Sequence, residues 1–81
     1  MNDTMTSLFS TASTDLGLAL SSGNVAAAAA NFGILVGLTA SVLPEDDARH
    51  FYGSVYDVRG ADITEIESAA AYVHSTFWAN V

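Results

Sequence analysis

Apolar residues recur every three or four positions over the first quarter of the chain. The positions that share this spacing are Met5, Leu8, Phe9, Ala12, Leu16, Ala19 and Leu20. Such spacing places side chains on one face of an α-helix, so residues 4–21 are predicted to form an amphipathic helix. Residues 21–24 are typical of a turn because they contain Gly23, and Asn24 or Ser22 can cap the helix that follows.

Residues 25–43 contain no charged side chain and are predicted to form the central helix of the fold. One side of this helix carries bulky side chains, namely Val25, Phe32, Ile34, Leu35, Val36, Leu38, Val42 and Leu43, together with Thr39. The opposite side is made of small residues, among them Ala29, Gly33, Gly37 and Ser41, each four positions after the previous one. A helix that is apolar all round is normally covered on all sides, and small residues let another backbone approach closely. We therefore expect these four small residues to form a helix-packing interface.

Two further amphipathic helices are predicted after Pro44, over residues 45–56 and 62–79. The first begins with three acids, which are favourable at the N-terminal end of a helix dipole. Residues 57–61 are expected to form a loop, and Asp62 with Glu65 three positions later resembles a capping box. The apolar stripe of the last helix comprises Ile63, Ile66, Ala70, Val73 and Phe77.

These patterns predict an all-α fold in a single domain over residues 1–81. The architecture is a small bundle of three to four helices, about 4–21, 25–43, 45–56 and 62–79, around the central apolar helix. A chain of this size buries only about 60% of its unfolded surface, and the absence of cysteine excludes disulfides. Because one short chain cannot easily cover both sides of residues 25–43, we expect a second chain to cover one of them.

Charge is distributed unevenly along the chain. The sequence has nine acidic and two basic residues, which gives a net charge of −7. Two arginines cannot neutralise the phosphates of a nucleic acid, so direct nucleic-acid binding is not expected. Five acids of the second half form a candidate face for a basic partner: Glu45, Asp46, Asp47, Asp62 and Glu65. The alternative interpretation is that these acids occupy helix starts and keep an apolar chain soluble.

No pattern of residues indicates catalysis. Asp46 or Asp47 can share a helix face with His50, but a metal ion needs further ligands that the pattern does not supply. Phosphate-binding loops and nucleophile motifs are absent as well. We therefore predict no catalytic, cofactor-binding or metal-binding residues. Trp78 is a candidate interface residue because tryptophan is enriched at the energetic centres of interfaces.

The function predicted from these features is that of a non-enzymatic, acidic helical interaction or structural protein. It would be an obligate oligomer or a small subunit of a larger assembly, and cytoplasmic. Its partner would be another protein or a second copy of the chain. One alternative uses residues 25–43 as the single span of an accessory subunit in the inner membrane, since about 20 apolar residues cross a bilayer. Another is an inhibitor of the phage or plasmid type that binds a basic surface of a nucleic-acid-binding machine.

Overall fold

The computed structural model describes residues 3–58 and 61–81, and within these residues the chain forms four α-helices and no strand. The helices are α1 (Asp3–Ser22), α2 (Val25–Ser41), α3 (Glu45–Val55) and α4 (Ile63–Asn80), and a single 3₁₀ turn (Tyr56–Val58) follows α3. The all-α bundle predicted from the sequence is therefore confirmed, with helix ends within one or two residues of the expected positions.

Helix α2 packs against each of the other three helices and most extensively against α1. Its buried side is formed by Ala28, Phe32, Leu35, Val36, Thr39 and Ala40. Thr39 is the one fully buried polar residue among the described residues, and its hydroxyl donates to the backbone carbonyl of Leu35 at 2.8 Å. This bond within the helix satisfies the hydroxyl, so Thr39 can occupy the core without an unpaired polar group. The central position predicted for this helix is confirmed.

The other helices each contribute one apolar stripe to the same core. The buried residues of these stripes are Phe9, Ala12, Leu16 and Ala19 of α1, Phe51 and Val55 of α3, and Ile66, Val73 and Phe77 of α4. Phe9 and Phe77 stack face to face, with ring centroids 3.9 Å apart and planes inclined by 7°. This contact joins the first helix to the last, within the same core as the buried side of α2.

The ends of the helices are set by local hydrogen bonds. Gly23 follows α1 with a φ of 69°, and the N–H groups of Gly23 and Asn24 donate to the carbonyls of Leu20 and Ala19. This pattern is a Schellman motif, whose left-handed residue is normally glycine. The side chain of Asn24 then caps α2 by accepting the N–H of Ala27 at 3.1 Å.

A second side-chain cap begins α4. Asp62 accepts the N–H of Glu65 at 2.9 Å, which confirms the cap expected from the spacing of these two residues. The 3₁₀ turn occupies the start of the loop predicted over 57–61. Residues 59 and 60 of that predicted loop lie outside the described residues.

Helix α2 differs from its predicted form at its C-terminal end. It ends at Ser41, and the N–H groups of Val42 and Leu43 bond to carbonyls only three residues back. The helix does not continue through Leu43, because the residue before a proline is disfavoured in the α conformation and Pro44 follows directly. The two residues expected at the end of the helix therefore form a tight turn.

The predicted bulky side of α2 is only partly buried. Val25 and Ile34 are exposed, although the sequence assigned both to the buried surface. Successive helical residues are rotated by about 100°, so Ile34 lies about 100° from Leu35 and about 200° from Phe32. The neighbouring helices cover the arc around Phe32 and Leu35, and Ile34 falls outside it.

Replacing Phe32 by alanine tests the central position of α2. Phe32 is fully buried, so Phe32→Ala should lower the free energy of unfolding by about 3–5 kcal/mol. Urea unfolding followed by circular dichroism measures this loss. A loss below about 1 kcal/mol would show that the side chain is exposed and that the described core is wrong.

Gly23→Ala tests the motif that ends α1. Alanine in the left-handed conformation costs about 1–2 kcal/mol, so this variant should be less stable than the wild type. Gly17→Ala is the matched control, because Gly17 lies inside α1 and an added Cβ there meets no atom within 4 Å. The control should gain up to about 1 kcal/mol in helix propensity. Equal effects of the two substitutions in urea unfolding would contradict the assigned turn.

Candidate interaction surface

Exposed aliphatic side chains are concentrated on α1 and α2. Within the described residues the large exposed aliphatic side chains are Leu8 at 51%, Leu18 at 66%, Val25 at 42% and Ile34 at 51% of full exposure. The large exposed hydrophobic residues of the second half are all aromatic: Tyr52, Tyr56, Tyr72 and Trp78. The first two helices therefore present the purely apolar part of the molecular surface.

A groove of about 250 Å³ runs between α1 and α2. We call it the α1–α2 groove. Its apolar walls are Leu8, Ala12, Ile34 and Leu38, and its rim carries Ser7, Thr11, Asp15 and Asn31. The Asn31 side-chain amide donates to the carbonyl of Ala27 at 3.0 Å, so its N–H group is engaged within its own helix. Asp15 is the one charged residue that lines the groove.

An exposed stripe on α2 continues from this groove. Its residues are Ala26, Ala30, Ile34, Gly37 and Ser41, all exposed and spaced by three or four positions. The hydroxyl of Ser41 donates to the carbonyl of Leu38 at 2.7 Å, so its hydrogen is directed into the helix. We call the groove and this stripe together the α1–α2 surface. It joins an apolar depression to a flat strip of small side chains.

The four small residues predicted to form a packing interface divide into two pairs. Ala29 and Gly33 are half-buried, whereas Gly37 and Ser41 are exposed. A Cβ added at Gly37 would meet no atom within 4 Å, so no other part of the described chain packs closely there. Gly37 and Ser41 therefore take no part in packing within the bundle. The interface role predicted for the four residues stays a prediction.

Trp78 lies in an aromatic cluster of α1 and α4, not in the α1–α2 groove. Its ring meets the rings of Phe9 and Phe77 edge-on, at centroid distances of 5.8 and 5.1 Å. The indole N–H donates to Nε2 of His74 at 3.1 Å, which requires that this nitrogen carry no proton. Trp78 is 41% exposed, so its side chain lies partly in the core of its own chain and partly in solvent.

The acids proposed as a partner face are all exposed. Arg49 lies 3.7 Å from a carboxylate oxygen of Glu45 and 3.0 Å from one of Asp46. These side chains are at least 71% exposed, so water screens the pairs and each contributes little to stability. Arg49 therefore offsets part of the charge at the start of α3 without holding it rigidly.

The structure separates these acids into two groups. Asp47, near the start of α3, lines a groove with Asn80 at the end of α4. Glu65, near the start of α4, lines another groove with Val58 beyond the end of α3. The two helices thus run in opposite directions, and the acids of their N-terminal turns lie at opposite ends of the pair. The five acids that the sequence grouped together do not form one continuous face.

Two residues of the α1–α2 groove were assigned to the core by the sequence. Leu8 matches the apolar stripe of α1, and Ile34 matches the bulky side of α2. Neighbouring positions in a helix point about 100° apart, so Leu8 and Phe9 cannot both face the centre of the same core. This adjacency of two large apolar residues is the signal that could have revealed an exposed leucine.

Two kinds of site, a metal centre and a membrane span, have no geometric support in the described part of the chain. Residues 3–58 and 61–81 contain no group of three or more histidine, aspartate or glutamate side chains placed to hold a metal ion. None of the helices in these residues is both long enough and apolar enough to cross a membrane. Comparisons with protein-family models, with curated proteins and with solved structures gave no match.

Substitutions at two adjacent positions test the place of Trp78. Phe77 is fully buried, whereas Trp78 is partly exposed, so Phe77→Ala should cost about 3–5 kcal/mol and Trp78→Ala clearly less. Both free energies are measured by urea unfolding with circular dichroism, which does not depend on tryptophan fluorescence. A larger loss for Trp78→Ala than for Phe77→Ala would contradict the described aromatic cluster.

Proposed function

We propose that this chain is a non-enzymatic helical interaction protein that acts as an obligate oligomer or as a small subunit of a larger assembly. The observation that carries the proposal is the exposure of Leu8 and Ile34 on the α1–α2 surface. Contiguous apolar surface on a small protein commonly marks a site of contact with another protein. Association would remove these side chains from water, and complete burial of one such side chain is worth about 1.5–3 kcal/mol.

The composition of α2 supports the same proposal. Glycine inside a helix costs roughly 1 kcal/mol relative to alanine, and α2 contains both Gly33 and Gly37. No atom of the described residues approaches the space beside Gly37, so packing within one chain gives no reason for glycine there. Close approach of a backbone from another chain would explain why glycine occupies this position.

The alternative of an acidic inhibitor stays a prediction. Its acids are exposed and free to meet a basic partner, but they form two groups at the two ends of the α3–α4 pair. A partner recognised by these acids would bind less tightly as salt rises. Association through the α1–α2 surface would not show that dependence, which separates the two functions.

Sedimentation of the purified chain tests the proposed function. At micromolar concentration the wild type should have the mass of two or more chains, and its unfolding midpoint should rise with protein concentration. A chain that stays monomeric and folded at that concentration would overturn the proposal.

Gly37→Leu tests whether the small residues of α2 form the contact. The new side chain has room within its own chain, so the variant should assemble poorly at concentrations where the wild type is assembled, and any loss of helical circular dichroism should follow from that dissociation. Gly53→Leu is the matched control, because Gly53 is an exposed helical glycine of α3 with equal space around it. Normal assembly of Gly37→Leu would show that this surface does not pack closely against a partner.

A further inference from the structure

We infer that the partner on the α1–α2 surface is a second copy of this chain, related by a two-fold axis so that Leu8 and Ile34 of each copy meet the α1–α2 groove of the other. This inference rests on the proposed function and names its partner. Three features of the described residues support it: the shape of the surface, the distribution of charge and the available area.

The shape of the α1–α2 surface suits a two-fold interface. Such an interface brings the same patch of two copies together, so the patch must be complementary to itself. The α1–α2 surface contains both elements of such a fit. Leu8 and Ile34 are about half exposed, and they flank a groove of about 250 Å³ that is open to solvent. Beside the groove, Gly37 leaves room for a facing backbone or side chain. Protruding and receding parts thus occur within one patch.

Charge distinguishes a second copy from other partners. Two of the nine acids, Asp3 and Asp15, lie in residues 1–44, whereas the other seven and both arginines follow Pro44. The net charges of the two parts are therefore −2 and −5, and the second part is the more repulsive toward another copy. Contact through α1 and α2 keeps the acidic helices of the two copies apart. A partner recognised by its positive charge would instead be drawn to α3 and α4.

The outline of the α1–α2 pair is of the same order as the area that a dimer interface buries on each partner. Helices of 20 and 17 residues are about 30 and 25 Å long and about 10 Å wide, so the pair presents roughly 500 Å² in outline. Protruding side chains raise the accessible area above this outline. A standard interface buries about 800 Å² on each partner, which is about a sixth of the 4652 Å² surface of this chain.

Cross-linking of single-cysteine variants tests the arrangement. The chain has no cysteine, so each introduced thiol is the one reactive group of its kind. Thr11→Cys at the rim of the groove and Ala30→Cys on the stripe should form covalent dimers rapidly with a short bifunctional maleimide. Ser75→Cys, an exposed position on α4, is the control and should react slowly. Equal rates at all three positions would contradict the assigned interface.

Ile34→Glu provides an independent measurement. A carboxylate buried without a partner should raise the dimer dissociation constant by about a hundredfold or more, while the helical circular dichroism measured above that constant is retained. Ser75→Glu adds the same charge on α4 and should change the constant little. Added salt should tighten the wild-type dimer, because it screens the repulsion between two acidic copies. Weakening by salt would contradict the inference.

The mass of the complex separates this inference from the proposed function. A folded monomer overturns both. A trimer, or any larger assembly without two-fold pairing, overturns the inference and leaves the proposed function standing. A dimer that Ile34→Glu leaves intact also overturns the inference, since its contact must then lie elsewhere on the chain.

Discussion

The whole bundle depends on the need to remove α2 from water. This helix has no charged residue, so it cannot present a solvated face of the usual kind. Each of the other helices contributes its apolar stripe to the same side of α2, around Phe32 and Leu35. The opposite side keeps only alanine, glycine and serine side chains with Ile34 among them. Small side chains expose little apolar area per residue, which limits the cost of leaving that side uncovered in one chain.

Much of this fold could be predicted because its determinants are local. The helix starts at Asn24 and Asp62 are set by side-chain bonds to N–H groups only three residues away. Likewise, the turn after α1 depends on a single glycine that adopts a left-handed conformation. Spacing of apolar residues also identified the buried stripes of α1 and α4. Each of these signals acts within one or two helical turns, so a single sequence contains the information needed.

The candidate surface was harder to predict because it depends on how whole helices are arranged. Periodicity shows that Ile34 is near an apolar face, but only the directions from which α1 and α4 approach decide whether that residue is covered. The acidic residues are a second example of a feature that depends on the arrangement of whole helices. Asp47 and Glu65 appear together in the second half of the sequence, yet the antiparallel arrangement of α3 and α4 separates them. Orientation between helices is set by long-range packing, which no short motif specifies.

The stacked pair of Phe9 and Phe77 has a consequence for the order of folding. These rings lie near opposite ends of the sequence, and chain entropy opposes their meeting until the intervening helices are in place. The α1–α2 hairpin, in contrast, is closed by a turn of two residues and makes the most extensive helix contact of the fold. It is therefore the natural early structure, and α4 docks onto it later. Without α4, Phe9 would be uncovered together with Leu8 and Ile34, so the α1–α2 hairpin alone exposes more apolar surface per residue than the complete bundle does.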